Sequence, residues 1–107
     1  MISFDQFKQI EIRMGKVIEC EKIEGADKLL RLQVDFGDFK RQVIAGIALC
    51  YSPQDLVGKS LPFVVNLEHR KFKGEESQGM LLATGTGWED IVLLLPNKKV
   101  APGTEVV

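Results

Sequence analysis

From Lys28 to Phe36 the chain alternates with a period of two: Leu30, Leu32, Val34 and Phe36 are apolar, and Arg31, Gln33 and Asp35 between them are polar. Successive side chains of a strand point to opposite faces, so this is the pattern of a half-buried strand rather than a helix. Arg31 and Gln33 are therefore expected to face away from the core. Gly37-Asp38 is a Gly-X pair suited to a tight hairpin, and Phe39 to Ala45 returns as the next strand, with Lys40 and Arg41 near its start.

The rest of the chain arranges itself around this hairpin. Ser3 opens a short helix: Ser3 and Gln6 fit a capping box, and Ile2 and Phe7 fit a hydrophobic staple. Phe4, Phe7 and Ile10 fall roughly on one face of it. So short a helix must bury that face, either over the end of the core or in a subunit contact. Ile12 to Cys20 is the expected first strand, with Gly15 as the site of a bulge or sharp coil. Glu19 to Asp27 reads as a charged connector turning at Gly25. After the hairpin, Ser52, Pro53, Asp55 and Gly58 are the cap, first residue, first-turn acid and stop of a second short helix.

Leu61 to Leu67 is the expected fourth strand, and Pro62 near its start suggests an edge or a strand beginning. Gly79 to Thr84 is almost wholly apolar and is expected to be a fifth strand buried on both faces. Gly85 to Asp90 is a turn, and Ile91 to Leu95 a sixth strand. Trp88 is expected to cover a core edge rather than stack on a base, because it lies far in sequence from the chain's cationic loop. Three strands, a short helix and two more strands is the order of the five-stranded OB barrel. The expectation is thus an all-β, five-stranded OB-fold barrel with short helices and a C-terminal extension. Residues 1–107 form a single domain, since no repeat, linker or low-complexity tract divides them.

Several functions are disfavoured by what is missing. The single histidine, His69, cannot complete an ordinary Cys/His metal cluster, and Cys20 and Cys50 are too far apart for a redox or zinc pair. They are read instead as reduced core thiols of a cytoplasmic protein. Ser77 has no His and carboxylate pattern around it to suggest a nucleophile. Gly85-Thr-Gly lacks the third glycine of a dinucleotide fingerprint, and no phosphate-binding loop is present. No catalytic residue, metal or cofactor is expected. No apolar run approaches the ~20 residues of a membrane helix, and the MISFDQFK start lacks the features of a signal peptide.

The chemistry concentrates between the fourth and fifth strands. Asn66 to Met80 reads NLEHRKFKGEESQGM and holds His69, Arg70, Lys71 and Lys73 in a chain of net charge −1. Any binding of nucleic acid must come from such a patch, because the chain is not basic overall. Glu75-Glu76 reads as part of a solvated loop. Asn66 and Ser77 add neutral donors and acceptors. Gly74 and Gly79 permit positive φ or close approach, and Met80 adds an apolar platform. Cations that hold phosphates, beside groups that meet bases and sugars, are what an RNA site needs.

Asn-Leu-x-x-Arg-Lys-x-x-Gly-x-x-Ser-x-Gly-Met, as residues 66–80 spell it, resembles the signature of the tRNA-binding domain family. Arg13-Met-Gly-Lys-Val17, Asp27 to Asp35, Val43 to Ala48 and Leu56 to Lys59 are similar to the family's other blocks, in its order. The family includes stand-alone tRNA-binding proteins, the C-terminal module of many bacterial methionyl-tRNA synthetases and a secretion-associated chaperone. His69 departs from it, where proline is common.

The resemblance implies the same OB fold and a homodimer formed through the N-terminal helix and C-terminal segment. It also implies tRNA contacts by Asn66, Arg70, Lys71, Ser77 and Met80. Charge and strand phase add Lys73, Arg31 and Arg41. The expected function is non-catalytic, shape-selective tRNA binding, with an aminoacyl-tRNA synthetase as a partner in trans and no membrane. The alternative is a peptide-binding chaperone on the same scaffold.

Overall fold

A computed structural model describes residues Met1–Val107. The chain is mostly β. Helix α1 (Phe4–Phe7) is followed by β1 (Ile12–Ile23), β2 (Ala26–Asp35) and β3 (Lys40–Ala45). Then come α2 (Pro53–Leu56), β4 (Ser60–Val64), β5 (Arg70–Phe72), β6 (Glu75–Ser77), β7 (Met80–Leu81), β8 (Ala83–Thr84) and β9 (Val92–Leu93). One antiparallel sheet runs in the order β3-β2-β1-β4-β7, and β5-β6 and β8-β9 are separate two-stranded pairs.

The alternation of β2 is realised as expected. Leu30, Leu32, Val34 and Phe36 are all buried, and they join Val17, Val43, Leu56, Leu61, Phe63 and neighbours in one core. β1 is longer than the sequence suggests, because its connector to β2 is strand almost to the turn at Gly25. Its pairing with β2 shifts register between Val17 and Glu19 and again between Lys22 and Ile23, not at Gly15. Gly15 serves packing instead: a Cβ there would stand 2.4 Å from Val34 Cγ1. Pro62 is near the start of β4, which lies between β1 and β7 and so is not an edge. The C-terminal segment runs beside the start of β1. Arg13 and Glu105 form an antiparallel bridge, and Val106 N–H donates to Ile12 O at 2.8 Å.

Two apolar segments are less covered by the core than their sequence suggests. The capping box of α1 is present, with Gln6 N–H donating to Ser3 Oγ at 3.1 Å, but the helix buries nothing. Phe4 is 72% and Phe7 44% exposed, so α1 does not cover the core. The apolar run from Gly79 to Thr84 divides into β7 and β8, and none of its residues is fully buried. Leu81 packs against the core and Leu82 is half-buried, while Met80, Ala83 and Thr84 are exposed.

Candidate nucleic-acid interface

The segment after β4 does not project as a free loop. It forms the β5-β6 hairpin, which lies over the outer face of β2 and β3. Register sets the hairpin: Phe72 pairs with Glu75, leaving Lys73-Gly74 as a two-residue turn. Both turn residues have positive φ, 52° and 81°, the geometry of a type I′ turn. Beneath it, Ile44 joins Ile23 and Ala26 in a small second apolar cluster, with Phe72 and Leu29 packed against it.

Polar bonds pin the hairpin to the sheet. Ser77 Oγ accepts the Ile44 N–H at 3.0 Å and donates to Gly79 O at 2.9 Å. Gln78 Oε1 accepts Gln42 N–H at 2.9 Å, and Gln78 N–H donates to Gln42 O at 2.7 Å. Arg31 donates to Glu75 at 3.0 Å and lies 3.4 Å from Glu21. Gly79 passes so close to β4 that a Cβ would stand 2.9 Å from Val64 O.

In this arrangement four of the expected contact residues are engaged within the chain. Ser77 is 4% exposed and its hydroxyl is engaged on both sides, so in this chain it holds the hairpin. The Asn66 amide is committed to backbone: Oδ1 accepts Glu11 N–H at 2.8 Å, and Nδ2 donates to Gln9 O at 2.7 Å. Arg41 does not extend a cationic track. It shares the strand phase of Val43 and Ala45, so it lies on the inner face, where its guanidinium donates to Val65 O and Gln78 O, both at 3.0 Å. Arg31 faces outward as its phase requires, but two carboxylates meet its charge there.

Arg70, Lys71, Lys73 and Met80 remain exposed, and strand alternation divides them. Arg70 lies over the Phe72 ring at 4.9 Å and shares a small recess of about 70 Å³ with Leu67 and Met80. Lys71 and Lys73 open instead on a concavity of about 590 Å³. Its other walls include Lys28, beside the β1-β2 turn, and Trp88. Trp88 rests against Gly46, with Lys28 Nζ 4.9 Å from its ring centre. Sequence reasoning placed Trp88 at a core edge. It does lie against the core's rim, but it also enters the cationic surface.

Trp88 is held by the 85–90 turn. The Asp90 carboxylate accepts the Thr86 hydroxyl and the N–H groups of Thr86 and Gly87, at 2.9 and 3.0 Å for the latter two. Those bonds, the hydroxyl first, hold its pKa below the ordinary value of 3.8. No group of three or more His, Cys, Asp or Glu side chains is placed to hold a metal. Both cysteines are free, and burial pushes the Cys20 thiol up to about 11. No helix is long and apolar enough to cross a membrane.

A family model for the tRNA binding domain matches residues 12–105, which takes in the sheet, the hairpin and the Trp88 turn. The chain belongs to the tRNA-binding domain family. The methionine–tRNA ligase of Methanothrix thermoacetophila is 53% identical over 103 residues, which is 96% of this chain and 15% of that enzyme. That of Porphyromonas gingivalis is 45% identical over 105 residues, again 15% of its length. The chain thus spans about a seventh of the curated relatives it matches. Among solved structures, a MetRS-related protein of Pyrococcus horikoshii superposes with a TM-score of 0.94 at 38% identity, covering 100% of this chain and 98% of that one. The chaperone CsaA of Bacillus anthracis superposes with a TM-score of 0.91 at 31% identity, covering 100% and 99%. The chain is thus similar in shape both to a MetRS-related protein and to a chaperone.

Proposed function

We propose that this chain is a non-catalytic, shape-selective tRNA-binding module on an OB barrel, acting as a homodimer in the cytoplasm. The observation that carries the reading is the hairpin: Arg70, Lys71 and Lys73 stand exposed on a support locked to the sheet through Ser77, Gln78 and Arg31. Cations fixed in place, and not tethered on a floppy loop, can match phosphates spaced by a folded RNA. Arg70, Lys71 and Lys73 hold phosphates, and Met80 packs on a sugar or base. Asn66, Ser77, Arg31 and Arg41 act by positioning. Barrel closure is supported by the bonds between Gln42 of β3 and Gln78 just before β7, at opposite ends of the sheet order.

The dimer reading rests on the uncovered apolar surface of Phe4, Phe7, Ile10, Val92, Leu94 and Leu95. Likeness to part of methionine–tRNA ligases suggests that the module presents tRNA to such an enzyme in trans. The second reading is a chaperone that holds peptide on the same apolar surface, favoured by the likeness to CsaA and by that exposure.

Titration with folded bulk tRNA at low and moderate salt separates them, with an unfolded RNA of equal length as competitor. Affinity for tRNA should fall steeply with salt, as counterion release requires. Arg70→Ala with Lys71→Ala should weaken binding and reduce the salt slope by about 2. Equal binding by the double variant, or none by the wild type, would sink the tRNA reading and turn attention to peptide.

A further inference from the structure

We propose that the concavity between the β1-β2 turn and the β5-β6 hairpin is a base-stacking subsite. Trp88 receives one unstacked nucleobase of the bound RNA, and Lys28, Lys71 and Lys73 hold the adjoining phosphates. The proposal rests on the RNA-binding reading above and names the part of the RNA this surface takes.

The concavity, about 590 Å³, is large enough for a nucleotide, and three ammonium groups line it against the single carboxylate of Asp27. The Trp88 ring is 47% exposed at its wall. A flat, weakly polar ring carrying phosphates on both sides matches this combination. A simple anion would leave the indole uncovered, and an apolar peptide would leave three cations unpaired. Lys28 Nζ lies over the indole at 4.9 Å, so that face is covered by an exposed lysine side chain and not by core packing. An entering base takes its place, and the four-carbon stem lets the ammonium follow to a phosphate.

The surroundings prepare the platform. A Cβ at Gly46 would stand 2.3 Å from Trp88 Cζ3, so only glycine lets the indole settle there. The Asp90 bonds fix the turn that carries Trp88. On the opposite wall, Lys73 adopts φ 52°, a left-handed conformation that costs a non-glycine residue free energy and that Asn or Gly would adopt more readily. Keeping lysine there places a cation at the rim despite the strain, the kind of conflict found at working sites. Because duplex bases are not free to stack on a side chain, the subsite selects a loop, bulge or end of a folded RNA.

Trp88 is the only tryptophan, so its emission reports on this site without a label. Wild-type protein would be titrated with folded bulk tRNA while emission and bound fraction are followed separately. Emission should quench in step with binding. Trp88→Ala should weaken binding about 5- to 150-fold, the equivalent of ~1–3 kcal/mol for one stacked base, with the salt slope unchanged. Trp88→Phe should recover most of the affinity, and Lys28→Ala should lower the salt slope by about 1. If the wild type binds tRNA with constant emission and Trp88→Phe and Trp88→Ala bind equally well, the subsite is overturned while the RNA reading stands. If the wild type binds no tRNA, both fall. The emission arm needs no substitution, so misfolding of Trp88→Ala would not rescue the idea.

Discussion

Ser77 shows how a polar residue in a binding motif can serve by being hidden. Its hydroxyl is the acceptor for the Ile44 N–H, which lies beneath the hairpin and has no neighbouring strand to pair with there. Ser77→Ala removes that acceptor and leaves a buried donor unsatisfied, so it should cost about 1–3 kcal/mol in urea unfolding. Where the variant is still folded, its tRNA salt slope should equal the wild type's; a slope lower by one would mean that the hydroxyl meets a phosphate after all. Lys73 is the opposite case, a residue whose conformation argues against its identity. Lys73→Asn makes an Asn-Gly turn of the preferred type, and should raise stability by a few tenths to about 1 kcal/mol while weakening tRNA binding. Thermal unfolding and tRNA titration of one variant check both signs. A loss of stability would show that Lys73 is held by contacts and not strained.

At the scale of elements, two turns are built on carboxylates. Asp90 organises the turn bearing Trp88, and Asp55 accepts the N–H and hydroxyl of Ser52 at the start of α2. The pKa of each is held below its ordinary 3.8, by hydrogen bonds from Thr86 and Gly87 in the first case and from Ser52 in the second. A depressed folded pKa means that the anion stabilises the fold above the unfolded value, and that this contribution is lost as pH falls through the folded one. The Trp88 emission should therefore hold constant down to about pH 4 and change only in more acid solution. Asp90→Asn should show the altered emission already at pH 7. An emission change near pH 6 would point to some other group.

For the whole molecule, the notable fact is apolar surface without cover. Phe4 and Phe7 lie on a helix with no buried residue, while Val92, Leu94 and Leu95 are exposed at the other end of the chain. If a second copy covers them, Phe4→Asp with Phe7→Asp should convert a sedimenting dimer to a monomer. It should leave the monomer's own stability within about 0.5 kcal/mol, because these rings touch little of the core. A wild type that sediments as a monomer at micromolar concentration would dispose of the dimer.

What could be read directly from the sequence was local. The alternation of β2, the Gly37-Asp38 turn and the capping box at Ser3 depend on neighbours within a few residues, and all three stand in the structure. The motif at 66–80 identified the stretch that carries the exposed cations, but not which of its polar groups are free. That was decided by tertiary structure, because a donor or acceptor is available to a ligand only when no other part of the chain has taken it. Ile44 took the hydroxyl of Ser77, residues 9–11 took the amide of Asn66, and Val65 and Gln78 took the guanidinium of Arg41. The phase of Arg41 was visible in its period-two relation to Val43 and Ala45; the carbonyls awaiting it were not. Trp88 and Lys28 could be joined to Lys71 and Lys73 only by folding, since the sheet brings together segments tens of residues apart. Sequence sets the period and the turns, which are short-range properties of the backbone. Which side chains share a surface is a long-range property, fixed when the strands pack and every buried polar group finds its partner.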